Sequence, residues 1–219
     1  MSAPLVIAID GPAAAGKGTL ARRLAVHYGL AYLDSGSLYR GVALSLLRQG
    51  LESPTESEAT AAAKALRPEI LGDPGLRDER TGALASKVAP IPALRAALLD
   101  WQRDFAKAPR GDGAGKRGAV LDGRDIGTVV LPDAPVKFYI VASVEARADR
   151  RFKELQEKGE KAIYARVLED MRERDARDTA RSTAPMKPAD DALIIDTSAL
   201  DAEQVFARAR DYVDRRLPN

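Results

Sequence analysis

The chain has 219 residues, 45% hydrophobic and 30% charged, a balance that supports both a buried core and a soluble surface and argues against disorder as the main state. Its 34 Lys and Arg stand against 32 Asp and Glu, and a net charge of +2 is too small to point to nucleic acid or an anionic membrane as partner. With no Cys and one His, disulfides, thiolate chemistry and multi-histidine metal centres are excluded, leaving Lys, Arg, carboxylates, hydroxyls and backbone groups.

Residues 5–10, LVIAID, read as a short strand buried on both faces. This run lacks a basic flank and ends in Asp10, so it is neither a secretory core nor a membrane span, and a cytoplasmic protein is expected. Gly11 to Gly18 interrupt the pattern. A helix follows over about 17–28, with Leu20, Ala21, Leu24 and Ala25 on one face and Gly29 as its stop. A strand over 30–33 precedes Asp34, and a helix over 35–49 ends at Gly50.

Residues 51–117 are broken by Pro, Gly and charge and read as an insertion. Helices are expected over 56–66 and 92–107, loops or a weak hairpin over 68–80, and a surface loop over 108–117. Apolar strands return at 118–122, 136–141 and 192–196. Helices over 144–158 and 160–178 and a closing helix over 201–216 complete the chain. The segment 145–181 is so densely charged with both signs that it should project into water. Strands alternating with helices mean an α/β fold with a parallel sheet. One domain is expected, with a core of 1–50, 108–145 and 182–219, an insertion over about 51–107 and a helical lid over about 146–181.

Gly11-Pro12-Ala13-Ala14-Ala15-Gly16-Lys17-Gly18-Thr19 lies between the first strand and the first helix. Such a loop turns its N–H groups toward phosphate oxygens, and the helix adds the positive end of its dipole. Lys17 supplies a full charge, and the Thr19 hydroxyl can reach phosphate or hydrated Mg²⁺. Gly18 stands where the strict P-loop pattern has Ser or Thr, a variant common in kinases of nucleoside monophosphates. The loop implies a polyphosphate ligand but leaves the acceptor open, since GTPase switches, motors and small-molecule kinases share it.

DSGSLYR, at the end of the second strand, reads first as a helix N-cap by Asp34 or Ser35. It also gathers Ser35, Tyr39 and Arg40 at the carboxyl edge of the sheet, where open α/β sheets bind ligands. DGRD closes the third strand: Asp122 ends an apolar run as a Walker B acid does, which suggests a place near Mg²⁺, and Arg124 and Asp125 follow. Arg174, Arg177, Asp178 and Arg181 have the spacing of one helix face, and Arg147, Arg150 and Arg151 form a similar face on the preceding helix. Together they suggest a lid closing over phosphates, since guanidiniums bind phosphate in a bidentate way. The bland reading is a solvated helix surface. His27 reads as a surface or half-buried residue, and Trp101 with Phe105 as a packing pair. Kinases with UMP, AMP or shikimate as acceptor and a nucleotide-binding switch are the competing readings, although no NKxD-like guanine motif is present.

With IDGPAAAGKGT, LDSGSLYR, ASKVAPIPALR, LDGRDIGTVVLPDAPVKFYIVAS and ERDARDTARSTAP in that order, the chain resembles the bacterial cytidylate kinases of the P-loop nucleoside monophosphate kinase superfamily. The resemblance covers nearly the whole chain and implies ATP-dependent phosphorylation of CMP and dCMP by a P-loop kinase fold, a five-stranded parallel sheet flanked by helices. It implies that the insertion binds the monophosphate and that the lid is mobile. Carried over residue by residue, it implies that Gly11 to Thr19 hold ATP and that Arg40, Arg124 and Arg181 grip the monophosphate. Ser86, Arg95 and Asp125 would read the cytosine edge, and Ser35, Tyr39 and Asp178 would line the nucleotide. Lys17, Arg124, Arg174 and Arg177 would serve the transfer itself, with Thr19 and Asp122 nearest Mg²⁺. The partners implied are CMP and dCMP alone, with no nucleic acid or membrane, and a monomer is expected. Ala14 stands where these kinases often have Gly, which should stiffen the loop.

Overall fold

The computed structural model describes residues 4–109, 113–180 and 185–216. Five parallel strands, β1 (Leu5–Asp10), β2 (Ala31–Asp34), β3 (Gly118–Gly123), β4 (Val136–Val141) and β5 (Leu193–Asp196), form one sheet in the order β2-β3-β1-β4-β5. The three central strands are almost wholly buried, which is why they read as unbroken apolar runs without alternation. Helices α1 (Lys17–His27), α2 (Ser35–Arg48), α3 (Glu56–Lys64), α4 (Glu79–Val88), α5 (Pro92–Lys107), α6 (Val144–Glu157), α7 (Tyr164–Thr179) and α8 (Ala202–Asp214) surround it. This is the α/β architecture expected from the sequence, a five-stranded parallel sheet flanked by helices.

Two cores flank the sheet. On one side Leu38 and Val42 of α2 pack with Leu84 of α4, Leu94 and Leu98 of α5 and Leu121 of β3. On the other, Leu20 and Leu24 of α1 pack with Ile7, Ile9, Phe138 and Val213 of α8. A small third cluster of Ala148, Val167 and Met171 joins α6 to α7. These two helices are otherwise highly charged, as the density of charge in their sequence demands.

Local signals place most boundaries. Thr55 and Glu58 form a capping box at α3, and Asp201 with Gln204 another at α8. The structure departs from the sequence reading in the insertion. Residues 68–80 hold no hairpin. Pro68–Gly72 and Pro74–Arg77 are successive 3₁₀ turns, each opened by Pro, and Asp73 Oδ1 accepts the Gly75 N–H at 2.9 Å. Helix α4 follows where no element was expected, and α7 begins at Tyr164 rather than 160. After β3 the chain forms a π turn, Ile126–Val130, also unforeseen.

The register sets the site. Asp34 of β2 lies opposite Asp122 of β3, and Asp10 of β1 opposite Gly123. The carboxyl ends of three adjacent strands therefore deliver three acids, the glycine loop and the DGRD segment to one edge.

Candidate active site

The loop between β1 and α1 is shaped by backbone constraints that side chains cannot meet. A Cβ on Gly11 would lie 2.0 Å from the Ile140 carbonyl oxygen, and Gly16, with φ of +96°, occupies the left-handed region at the N-cap of α1. Ala14 adopts φ of +56°, a conformation that costs a non-glycine residue about 1 kcal/mol. No side chain caps α1, so its first N–H groups face the loop, as phosphate binding requires.

Lys17 folds back into this loop and its Nζ donates to the Pro12 carbonyl at 2.7 Å. Burial pushes its proton affinity down, and the nearby Arg124 guanidinium pushes it further. Asp122 shows the reverse: burial, then the Asp34 carboxylate, raise its affinity for a proton, while Lys17 and Arg124 oppose them. Tyr32 Oη donates to Asp122 Oδ1 at 3.3 Å, and Gly18 leaves room beside that hydroxyl and Asp122 Oδ2. Cations and carboxylates are thus packed at one edge with partial mutual compensation, a charge pattern suited to an anionic ligand carrying a cation.

The DGRD segment contributes the next layer. Arg124 Nε donates to Asp178 Oδ2 of α7 at 2.9 Å, and Asp178 is almost fully buried. Asp125 is buried and paired with the Arg95 guanidinium of α5, which lies over the Tyr39 ring. Ser86 of α4 presents a buried hydroxyl that has no hydrogen-bond partner among the described residues. Arg40 donates to the Leu76 carbonyl at 3.0 Å, and burial lowers its proton affinity. Ser35 is buried, and its hydroxyl would meet any side chain placed at Gly123. The α2, α5 and DGRD residues singled out by sequence therefore converge.

Others do not. The Asp34 side chain makes no capping bond at α2. Arg147 is not a free lid cation: it is buried, holds Asp175 of α7 with two hydrogen bonds of 3.0 and 2.6 Å, and donates to the Ala142 carbonyl. Arg150 donates to the Thr197 hydroxyl and carbonyl, and Arg151 pairs with Glu154. The second Arg face is thus absorbed by protein acceptors. Arg177 is exposed and pairs with Glu173 along its own helix. Arg181 lies outside the described residues. His27 is exposed against Phe206, and the Trp101 and Phe105 rings stack, as expected. Sequence reasoning missed Asp10, Asp34 as a neighbour of Asp122, and Tyr32. The only signal for the acids was that each ends an apolar strand.

Among the described residues no group of three or more acidic, His or Cys side chains is placed to hold a metal ion. A divalent ion here would need hydroxyl, water and phosphate oxygens besides Asp122 and its neighbour Asp34, a ligand set that suits Mg²⁺.

The profile of the cytidylate kinase family matches residues 7–215. The chain belongs to the cytidylate kinase family. It is 59% identical over 204 residues to a cytidylate kinase of Paramagnetospirillum magneticum, covering 93% of this chain and 95% of the relative. It is 58% identical to one of Methylobacterium sp. strain 4-46, covering 98% and 99%. A solved structure of an uncharacterized protein from Eubacterium ventriosum superimposes with a TM-score of 0.56 at 15% identity, covering 97% of this chain and 99% of that one, a likeness of fold. The enzyme is a nucleoside monophosphate kinase, and its family uses ATP as phosphoryl donor.

Proposed function

We propose that the enzyme transfers the γ-phosphoryl group of ATP to CMP and dCMP, giving CDP and dCDP, at the carboxyl edge of the sheet. The observation that carries this reading is the convergence of Lys17 and Arg124, two cations close enough to lower the proton affinity of one, beside the acids Asp122 and Asp34. Two cations gathered at one buried edge can meet phosphate oxygens, and the acids beside them suit the cation that a polyphosphate carries.

Gly11, Pro12, Ala13, Ala14, Ala15, Gly16, Lys17, Gly18 and Thr19 hold the ATP phosphates. Arg40, Arg124 and Arg181 grip the acceptor phosphate. The Ser86 hydroxyl and the Arg95–Asp125 pair meet the cytosine edge, and Ser35, Tyr39 and Asp178 line the nucleotide. Arg174 and Arg177 approach from the lid, residues 146–181, when it closes over the insertion, residues 51–107. Thr19, Asp122 and water would hold Mg²⁺, which would supply charge neutralisation to the phosphates. The acceptor is already an anion, so the protein needs no strong base. It aligns two nucleotides, cancels their repulsion and excludes water. Every residue assigned to the reaction belongs to this one chain, and the enzyme is read as a monomer working in the cytoplasm on small molecules. Among the described residues no single helix is long and apolar enough to cross a membrane.

A coupled assay of ADP release with CMP, dCMP, UMP and AMP tests the reading. Turnover confined largely to CMP and dCMP supports it, and equal use of AMP or UMP contradicts it.

A further inference from the structure

The dipeptide Arg124–Asp125 is followed at once by the π turn. The Asp125 carbonyl accepts the N–H groups of Val129 and Val130 at 2.9 and 3.1 Å, and the Ile126 carbonyl that of Leu131 at 2.7 Å. A π turn is the least stable helical geometry and needs outside support. Here both ends receive it. Asp10, the last residue of β1, accepts the Ile126 N–H on one carboxylate oxygen and the Gly127 N–H on the other, each at 2.7 Å. Arg103 of α5 donates from Nε to the Val130 carbonyl at 3.0 Å and from Nη2 to the Val129 carbonyl at 3.1 Å. An anion thus binds the amides at the start of the turn and a cation the carbonyls at its end, matching the sign of the turn's dipole at both ends.

We propose that Asp10 and Arg103 are the positioning residues of the acceptor site, fixing the π turn and, through it, the placement of Arg124 and Asp125 against the monophosphate nucleotide. The inference rests on the acceptor-site reading above and extends it to two residues that sit behind the nucleotide. Asp10 spends both oxygens on adjacent amides, so its carboxylate sets the direction in which the preceding residue enters the cleft. Arg103 lies eight residues after Arg95 on α5, a little over two turns. One insertion helix therefore holds the same segment twice, at the Asp125 carboxylate and at the carbonyls beyond it. Arg103 lies on α5 and donates only to the Val129 and Val130 carbonyls, away from the glycine loop, so its loss should be felt on the acceptor side; Asp10 also borders Gly11, which makes the Arg103 variants the cleaner measure.

The test compares Arg103→Met, Arg103→Lys, Asp10→Asn and, as a reference for the acceptor site, Asp125→Asn. For each, KM for CMP, KM for ATP and the preference for CMP over UMP are measured, and thermal melting reports folding. The expected result is a KM for CMP raised about tenfold by Arg103→Met and by Asp10→Asn. KM for ATP stays within about twofold, and base preference falls in the direction set by Asp125→Asn. Arg103→Lys, with a single donor point in place of a fork, restores part of the loss. If Asp10→Asn does not fold, the two Arg103 variants decide. Folded variants that keep the parent's KM for CMP and base preference overturn the inference, as does an equal rise in both KM values alongside a lower melting temperature. Should Asp125→Asn itself leave base preference intact, the acceptor-site reading fails first and the inference falls with it. Loss of preference in Asp125→Asn together with parent-like Arg103 and Asp10 variants overturns the positioning role alone.

Discussion

Arg124 and Asp178 join the end of β3 to helix α7: the guanidinium of one, just past β3, donates at 2.9 Å to the carboxylate of the other, near the end of α7. The pair is mostly shielded, with side-chain exposures of 19% and 2%, so it is not screened as a surface ion pair is. In the proposed function a monophosphate arriving at Arg124 would share or replace that carboxylate, which would tie acceptor binding to the position of α7. Arg124→Ala should therefore raise KM for CMP by about tenfold or more, while KM for ATP changes by no more than about twofold. Steady-state kinetics with each nucleotide varied in turn provides the check. A defect falling on ATP would place Arg124 on the other nucleotide.

Lys17 carries a different expectation. Its ammonium is buried, and burial lowers its proton affinity, so the charge is kept against a desolvation cost. Lys17→Met should cut kcat by about a thousandfold. Its melting temperature should match or exceed that of the parent, because the apolar side chain escapes that cost. Single-turnover transfer and a circular-dichroism melt measure the two quantities separately.

The Arg95–Asp125 pair is buried on both sides, with side-chain exposures of 10% and 9%. Removing the cation strands a carboxylate in the interior, and Arg95→Met should cost about 3 kcal/mol of stability in urea denaturation. Asp125→Asn leaves an amide that still accepts from Arg95 and should cost less. It should nonetheless weaken the preference for CMP over UMP, because an amide reads the cytosine amino group less well than a carboxylate.

Much of this site was legible in the sequence because it is built from backbone-dictated parts. Gly11 and Gly16 are demanded by a close carbonyl and a left-handed φ, and Lys17 follows at fixed spacing. The strands announced themselves because both faces of the inner ones are covered. What stayed hidden has physical reasons too. Helix α4 buries Thr81, Leu84, Ala85 and Val88, a correct helical spacing in which a hydroxyl and a small side chain mask the apolar stripe. The π turn has no sequence signature, since its geometry is imposed from outside by Asp10 and Arg103. Arg147 looked like Arg174 in sequence; only the placement of Asp175 shows that its guanidinium is consumed within the protein.

Asp10 gives a pH dependence whose sign can be stated. Burial raises its pKa from 3.8 to about 6, against the lowering effect of the Gly127 and Ile126 amides; the Asp125 carboxylate adds to the rise and Lys17 opposes it, with the Tyr139 phenol also in its field. Between those values the folded protein holds a proton that the unfolded chain has released, so stability falls as pH rises through the window and levels off above about 6. Denaturation of the parent and of Asp10→Asn over this range should show the parent losing about 2–3 kcal/mol relative to the variant. Parallel curves would show that the carboxylate ionises without penalty.

Two nucleotides held end to end, with their phosphates gathered by Lys17, Arg40 and Arg124, are the centre of the account. A crystal structure with CMP and a non-hydrolysable ATP analogue bound together measures this directly. The Arg40 and Arg124 guanidiniums should lie within about 3.2 Å of CMP phosphate oxygens and the Lys17 ammonium equally close to the donor phosphates. CMP bound elsewhere, or those three side chains turned into solvent with both nucleotides in place, would contradict it.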